Sequence, residues 1–273
     1  MSSAPRSRIL DVYAMFVRPV GGWLAISDLI SLLQPLGVDA QAVRSATSRM
    51  KRSELLIPDT MAGQAGYALS AEALGILQDG DKRIFRSVDD EAETWIVALF
   101  SVPEAERSKR YQIRSRLERL GFGQGPASSW FAPSVVLPET QRMLQHSGLA
   151  GYVTLWDASH VGFGRLVDVV AAAWDLGAIM DAHGSYIDVA DGITRRWSQS
   201  DAGDAVAWVD YLDNLAAWRP LPYLDPGLPS GVVPPGWPAG AARARFTALE
   251  AALKPGAVRF FTASVGSSPS STA

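Results

Sequence analysis

The segment Asp39-Ala-Gln-Ala-Val-Arg-Ser-Ala-Thr-Ser-Arg-Met-Lys-Arg52 decides how the rest of this 273-residue sequence is interpreted. At about 100° per residue, a helix that starts after Asp39 sorts its side chains onto two faces. One face carries Val43, Ala46, Thr47 and Met50. The opposite face carries Gln41, Arg44, Ser45, Ser48, Arg49 and Arg52, with Lys51 nearby and no carboxylate. Gln, Ser and Arg reach base edges and phosphates from a major-groove helix, so the pattern predicts a DNA recognition helix.

The elements around this helix favour that interpretation over an ordinary solvated basic face. Two helical patterns precede it, and Asp39 is a suitable N-cap for the helix itself. Behind it come a short strand, a polar turn at Pro58–Gly66, a returning strand and a further helix that starts at Ser70. Three helices followed by a small hairpin is the order of a winged helix-turn-helix. We therefore assign residues 7–86 to a winged helix domain, with the wing alongside the DNA.

A second pattern begins after Thr94 and predicts a ferredoxin-like α+β domain over residues 91–160. The order is strand, helix, strand, strand, helix, strand, and the segments are Trp95–Val102, Glu104–Leu120, Trp130–Phe131, Val135–Leu137, Glu139–His146 and Tyr152–Trp156. The first helix has six basic residues, namely Arg107, Lys109, Arg110, Arg114, Arg116 and Arg119. For these we favour a solvated helix face over a phosphate contact that flanks the recognition helix.

The C-terminal part, residues 161–255, is expected to be mainly helical. Helical patterns lie near residues 163–180, 204–218 and 241–253, and the small polar tail at 264–273 is expected to be disordered. Six of the nine Trp follow residue 150. An aromatic core explains that density, and a pocket for a flat hydrophobic ligand is the alternative. The fold class of the whole chain is thus predicted as α+β.

Composition and charge exclude several classes of protein. The chain has no Cys, and His146, His160 and His183 lack the spacing of metal ligands, so neither a metal site nor a cofactor is predicted. Val161–Arg165 has part of a dinucleotide-binding turn, but a flexible turn is favoured because the third glycine is missing. The sequence shows no pattern of an enzyme, and we expect none. A polar start and the lack of a long apolar run predict a cytoplasmic protein that does not contact a membrane.

Net charge gives a misleading first impression. The total of -3 speaks against a nucleic-acid partner, but residues 1–90 hold 10 basic and 10 acidic side chains, whereas residues 151–273 hold 8 and 12. The acidity therefore lies in the C-terminal part. With so little diffuse positive charge, we expect weak non-specific DNA binding and an affinity that depends on few contacts.

Three groups of residues resemble one known family, the PaaX-type transcriptional repressors of phenylacetic-acid catabolism. The first group is Phe16–Trp23, Leu32–Val38 and Ala42–Arg49; the second is Trp95–Pro103, Leu120–Phe122 and Trp130–Pro133; the third is Leu224–Pro229 and Gly236–Pro238, followed by Ala241 and Phe246. The resemblance implies a homodimeric repressor that binds double-stranded operator DNA. It also implies release by a small acyl-CoA-type effector, which is phenylacetyl-CoA in the branch that names the family.

The chain departs from the family pattern between Val206 and Tyr223, where a His-x-Tyr-Arg-like stretch is usual and Trp208–Asp213 and Ala217–Arg219 stand instead. For an effector of the class that the resemblance implies, the candidate binding residues are Trp208, from the aromatic-rich C-terminal part, and the nearby Arg195, Arg196 and Arg219 for the phosphates. Two enzyme alternatives stay open: an acyl-CoA-processing enzyme and a metal-dependent nuclease. The middle domain resembles the small CRISPR-associated nuclease subunit, but Phe100-Ser-Val-Pro103 lacks the metal-binding Asp of that subunit, which disfavours cleavage.

Overall fold

A computed structural model describes residues 5–86, 94–198 and 203–265 of the chain. The chain folds into two units. The first comprises the described residues within Met1–Arg83, Ile187–Trp218 and Ala244–Ala273, and the second those within Ile84–Tyr186 and Arg219–Arg243. Helices dominate, and two small antiparallel sheets complete an α+β fold, which confirms the predicted class. No helix in the described ranges combines the length and hydrophobicity that a bilayer span requires.

The N-terminal part of the first unit contains four helices and three strands. They are α1 (Pro5–Val12), β1 (Trp23–Ala25), α2 (Ile26–Leu33), α3 (Ala40–Arg52), β2 (Leu56–Met61), β3 (Gln64–Leu69) and α4 (Ala71–Ile84). A π-helical turn, Tyr13–Val17, continues α1, and Gly21 ends the 3-10 turn that follows it, Arg18–Val20, with a φ of 113°. Gly37, with a φ of 74°, makes the turn into α3. Both glycines occupy the left-handed region, which costs little only without a Cβ.

The strands form one sheet in the order β1-β3-β2, with β3 in the centre. The sequence did not predict β1, which pairs Leu24 with Tyr67. It also predicted a turn across Pro58–Gly66, and that prediction was too long: the strands continue to Met61 and from Gln64. Pro58 fits a strand here because β2 lies at the sheet edge, where a missing N–H breaks no ladder. Ala62 and Gly63, both with positive φ, make the tight turn.

The second unit contains a four-stranded sheet with two helices in ferredoxin-like order. The elements are β4 (Trp95–Phe100), α5 (Ser108–Arg119), β5 (Gly123–Gln124), β6 (Trp130–Pro133), α6 (Leu137–His146) and β7 (Val153–Ala158), and the strand order is β5-β6-β4-β7. One predicted strand was wrong. Val135–Leu137 is a helical turn that leads into α6, since Pro138 suits the first turn of a helix. The second strand is instead β5.

The C-terminal helices are α7 (Leu166–Ala173), α8 (Leu176–Ser198), α9 (Asp204–Trp218), α10 (Leu221–Leu224) and α11 (Ala239–Ser264). The bounds of α9 match the prediction, and α11 is longer than predicted. The helical stretch predicted near residues 163–180 is divided between α7 and the start of α8, and the rest of α8, to Ser198, was not predicted. Pro255 lies inside α11, and the helix continues because Ala257 and Phe261 beyond it are buried. The predicted disordered tail starts too early, because Ser264 still belongs to α11. Residues 266–273 of that tail lie outside the described residues, and the predicted domain boundaries stay a prediction.

Candidate nucleic-acid interface

Helix α3 presents two distinct faces. The buried side chains are Val43, Ala46, Thr47 and Met50, and they pack on α1 and α2. On the other side the exposed residues are Gln41, Arg44, Ser48, Arg49, Lys51 and Arg52, while Ser45 is half-buried. All seven candidate DNA-binding residues therefore lie on one outer surface of one helix, hereafter the α3 face. Their contact with DNA remains a prediction.

Local hydrogen bonds fix the start and the inner face of α3. Asp39 Oδ1 accepts a 2.8 Å hydrogen bond from the amide of Ala42, as expected of an N-cap. Thr47 lies in the core, and its hydroxyl donates to the carbonyl of Val43 at 3.0 Å. That bond satisfies a buried polar group inside the helix. The backbone that carries the α3 face is thus held by packing on one side and by a capped first turn.

No carboxylate among the described residues neutralises the cations on the α3 face. Arg44, Arg49 and Lys51 form no ion pair with another described residue. Arg52 makes only a long contact from Nε to the carbonyl of Ser48, at 3.5 Å. Exposed surface arginines usually find a carboxylate when one lies near, and here the helix offers none. The face is therefore electrostatically complementary to an anionic partner such as a phosphate backbone.

The hairpin beside α3 is anchored by two aromatic side chains. Tyr13 donates a 2.9 Å hydrogen bond to the carbonyl of Tyr67, and burial raises the pKa of the Tyr13 phenol, so it stays a donor. The Trp23 ring covers Gly66, where a Cβ would lie 2.6 Å from Cζ2 of that ring. Asp59 is the only charged residue from Leu56 to Leu69. The hairpin is thus firmly placed but contributes no cation.

The effector candidate Trp208 is a core residue. It is fully buried, and its indole N–H donates a 2.8 Å hydrogen bond to the carbonyl of Leu32. Phe16 packs on it with ring centroids 4.7 Å apart, and Phe260 lies on it at 5.5 Å. A side chain enclosed in this way presents no surface to a ligand. Trp208 therefore supports α2 from the inside rather than lining a pocket.

The three arginine candidates differ in their surroundings. Arg195 and Arg196 are exposed near the end of α8, and Arg196 donates to Asp210 at 2.6 Å. Arg219 is half-buried and belongs to the second unit, whereas the other two belong to the first. The structure does not group these residues into one described pocket. Effector binding by them stays a prediction.

Sequence reasoning missed a buried polar cluster in the second unit. His183 Nε2 lies 3.1 Å from Asp225 Oδ2, which also accepts from the Trp237 indole at 3.1 Å. The other carboxylate oxygen accepts from the amides of Gly227 and Leu228. Burial raises the pKa of Asp225, but the hydrogen bonds from His183 and from these two amides outweigh it and lower the pKa overall. His183 and Asp225 are far apart in sequence, so spacing could not reveal the pair.

Two weaker sequence features have simple structural explanations. The Val161–Arg165 segment is an exposed bend in which Phe163 projects fully into solvent, as expected of the turn that was favoured over a dinucleotide site. Trp95, Phe131 and Trp174 form one buried aromatic cluster, and Trp218 stacks on Phe246 elsewhere in the core.

Within the described ranges, no three carboxylate or imidazole side chains are grouped as metal ligands.

Family profiles match three consecutive parts of the chain. Residues 4–73 match a profile described as PaaX-like protein. Residues 89–170 match the PaaX protein central Cas2-like domain, and residues 174–263 match the PaaX-like protein C-terminal domain. The central match agrees with the ferredoxin-like topology of the second unit.

Two similar proteins add detail. The transcriptional repressor PaaX of Escherichia coli strain K12 is 25% identical over 153 residues, which are 56% of this chain and 48% of that protein. The match thus spans about half the length of the curated relative. The solved structure of uncharacterized protein Rv0674 from Mycobacterium tuberculosis covers 92% of this chain and 97% of its own, with a TM-score of 0.58 and 18% identity. At that identity the likeness shows the fold alone.

Proposed function

We propose, because this chain belongs to the PaaX family, that it is a transcriptional repressor that binds double-stranded operator DNA. The observation that carries the proposal is the α3 face, whose cations have no carboxylate partner among the described residues and whose helix is preceded by a turn and followed by a hairpin. The curated relative is itself named a transcriptional repressor. A repressor acts where the chromosome lies, so we place it in the cytoplasm. The proposal includes no catalytic step.

The residues of the α3 face fall into two groups, which differ in their position along the helix and in the part of the DNA that they contact. Gln41, Arg44 and Ser45 lie in the N-terminal half of α3, from which recognition helices mainly read bases, and Ser48 follows one turn later on the same face. These four residues contact base edges. Arg49, Lys51 and Arg52 lie in the last turn and contact phosphates, which set the register of the helix in the groove. The hairpin lies alongside. Because it lacks a cation, it contributes shape and hydrogen bonds rather than charge.

Two protomers form a homodimer in this account. A two-fold dimer presents two copies of α3, and its operator is then a palindrome whose half-sites are about 34–36 Å apart or a multiple of that distance. Each half of such a complex contributes a few charged contacts. That arrangement gives useful affinity even though the chain carries a net negative charge.

An acyl-CoA-type effector, with phenylacetyl-CoA as the first candidate, releases the DNA and thereby induces an aromatic-acid catabolic operon. Arg195, Arg196 and Arg219 are the candidates for its phosphates. A ligand shifts the equilibrium between two conformations of the dimer only if it binds more tightly to one arrangement of the two α3 helices than to the other. The hydrogen bond between Trp208 and Leu32 provides a route by which a change in α9 reaches α3, because it joins α9 to α2, the helix that precedes α3.

The test of the proposal is a selection for bound sequences. The full-length protein is incubated with a random-sequence duplex library, and bound DNA is recovered and sequenced over several rounds. We expect enrichment of a two-fold symmetric sequence. A library that stays random at moderate salt, with a folded protein, contradicts the proposal.

A further inference from the structure

The largest group of basic residues within one helical segment lies outside the α3 face. From Arg107 to Arg119 the sequence has six basic residues and one acidic residue, Glu118, in a chain of net charge -3. This segment contains α5 and the residue before it. The inner side of α5 is buried through Ile113 and Leu117, so its charged residues are displayed on the outside of the second unit.

The nearest carboxylates are already used by two of these basic residues. Lys109 donates to Glu106 at 2.5 Å, and the Tyr152 hydroxyl donates to the same carboxylate at 2.8 Å. These hydrogen bonds, from Lys109 first and then from Tyr152, lower the pKa of Glu106, so the carboxylate stays ionised and cancels the Lys109 charge. Glu104 lies 3.4 Å from Arg110. The other arginines of this segment form no ion pair with any residue that the structure describes.

Four residues form a continuous stripe on the outer surface of α5. Arg107, Arg110, Tyr111 and Arg114 stand at positions i, i+3, i+4 and i+7, which share one side of a helix. All four are exposed, and Tyr111 is 76% exposed. Arg107 and Arg114 form no ion pair with another described residue. We call this set the α5 stripe.

We infer that the α5 stripe is a second DNA-binding surface, which contacts backbone phosphates without reading sequence. The inference rests on the proposed function, since it takes DNA as the partner. Arginine donates paired hydrogen bonds to phosphate oxygens, and the tyrosine hydroxyl adds a neutral donor between the two arginines. Arg107 and Arg114 are seven residues apart, or about 10 Å along the helix at 1.5 Å per residue. That distance spans about three nucleotide steps of 3.4 Å on one strand.

A duplex fits this surface better than the acyl-CoA effector does. Small ligands bind in concave sites that bury most of their surface. The α5 stripe is the convex outer side of a helix, and its side chains extend into solvent. A long, regular polyanion can contact such a surface at several points at once, whereas a single small anion would remain largely hydrated.

The test compares the wild-type chain with the Arg107→Gln/Arg114→Gln double variant. A control double variant, Arg165→Gln/Lys254→Gln, removes the same charge from exposed positions outside both proposed surfaces. Binding is measured at several salt concentrations to an operator duplex and to a scrambled duplex of equal length. Because each lost phosphate contact in B-DNA reduces the slope of log K against log salt by about 0.9, the expected decrease is about 1.8 for each protomer, or about 3.6 for the proposed homodimer. The expected loss of affinity at 0.1 M salt is at least about tenfold on both duplexes.

The outcomes separate this inference from the proposed function. Wild-type affinity and slope in the α5 double variant overturn the inference, as does an equal loss in the control. A loss confined to the operator duplex also overturns it, because the contact would then depend on sequence. If the variant binds DNA normally but phenylacetyl-CoA no longer releases it, the stripe belongs to the effector instead. Failure of the proposed function would show differently, as equal binding of operator and scrambled DNA by the wild type.

Discussion

The indole N–H of Trp208 in α9 donates a 2.8 Å hydrogen bond to the carbonyl of Leu32 in the last turn of α2. The carbonyls in the last turn of a helix lack partners within the helix, so this bond completes the end of α2. The turn that follows leads directly into α3. Arg8 ties α1 to α9 as well, since it donates to the carbonyl of Leu212 in α9 at 2.7 Å. The C-terminal part of the chain thus holds the helix that positions the α3 face.

Trp208→Phe removes the indole donor and keeps an aromatic ring in the core. The buried carbonyl of Leu32 then loses its partner, so we expect the free energy of unfolding to fall by about 1–3 kcal/mol. Urea denaturation followed by circular dichroism measures it. Trp156→Phe is the control, because Trp156 is 57% exposed, and we expect its effect to stay within about 0.5 kcal/mol. Equal effects of the two substitutions would show that the bond to Leu32 is unimportant.

Gly66→Ala places a Cβ where the hairpin has no room for one. That atom would lie 2.4 Å from the carbonyl oxygen of Leu24, so the strands or Trp23 must move. We expect a loss of about 1–3 kcal/mol in unfolding free energy. Gly75 lies in α4, where a Cβ would meet no atom within 4 Å, so Gly75→Ala is expected to raise the unfolding free energy by about 0.5–1 kcal/mol instead. Two substitutions of the same kind should therefore change stability in opposite directions, and the same sign for both would contradict the packing at Gly66.

Asp225→Asn tests the buried cluster with His183 and Trp237. The carboxylate accepts four hydrogen bonds, and we expect its replacement to cost at least about 1.5–3 kcal/mol, the value of one such bond to a charged group. Asp157→Asn, at an exposed site in β7, is the control and should change little.

The Asp225 contribution also depends on pH. Its pKa is lowered in the folded chain, so the unfolded chain takes up the proton first as the pH falls below about 4. The stabilisation is therefore complete at neutral pH and decreases as the pH falls through the folded-state pKa. We expect the difference in unfolding free energy between wild type and Asp225→Asn to shrink between pH 5 and pH 3, whereas a difference that grows would contradict the lowered pKa.

Phenylacetyl-CoA is expected to release operator DNA from the wild-type protein. Fluorescence anisotropy of a labelled operator follows the release during a titration. Phenylacetate and free CoA serve as separate controls, because each carries only part of the proposed ligand. If no aromatic acyl-CoA loosens the complex, the effector of the family does not apply to this chain, while operator binding itself is untouched.

Local patterns predicted much of this fold. The two faces of α3 follow from helical periodicity, and Asp39 caps that helix as its side chain suggests. The ferredoxin-like order came from alternating strand and helix patterns. The bounds of α9 were also predicted, since Asp204 and the following apolar residues mark the start of a helix clearly.

Contacts between residues that are far apart in the sequence determine the structural features that the sequence did not predict. β1 is three residues long and exists because Leu24 pairs with Tyr67 across the sheet. Pro255 continues α11 because buried residues follow it. Trp208 was assigned to an effector because aromatic residues suit both pockets and cores, and only its distance to Leu32 distinguishes the two roles. The fold class and the two faces of α3 were thus accessible from sequence, whereas pairings between distant residues were not.

Operator affinity of the Arg44→Ala variant tests the central claim most directly. Arg44 lies on the α3 face without an acidic partner among the described residues, so its replacement should not disturb the fold. We expect binding to the selected operator at fixed salt to weaken by about 1–3 kcal/mol, with little change on a scrambled duplex. Arg165→Ala, at another exposed arginine, should bind as the wild type does. Unchanged operator affinity in Arg44→Ala would contradict the assignment of α3 as the recognition helix.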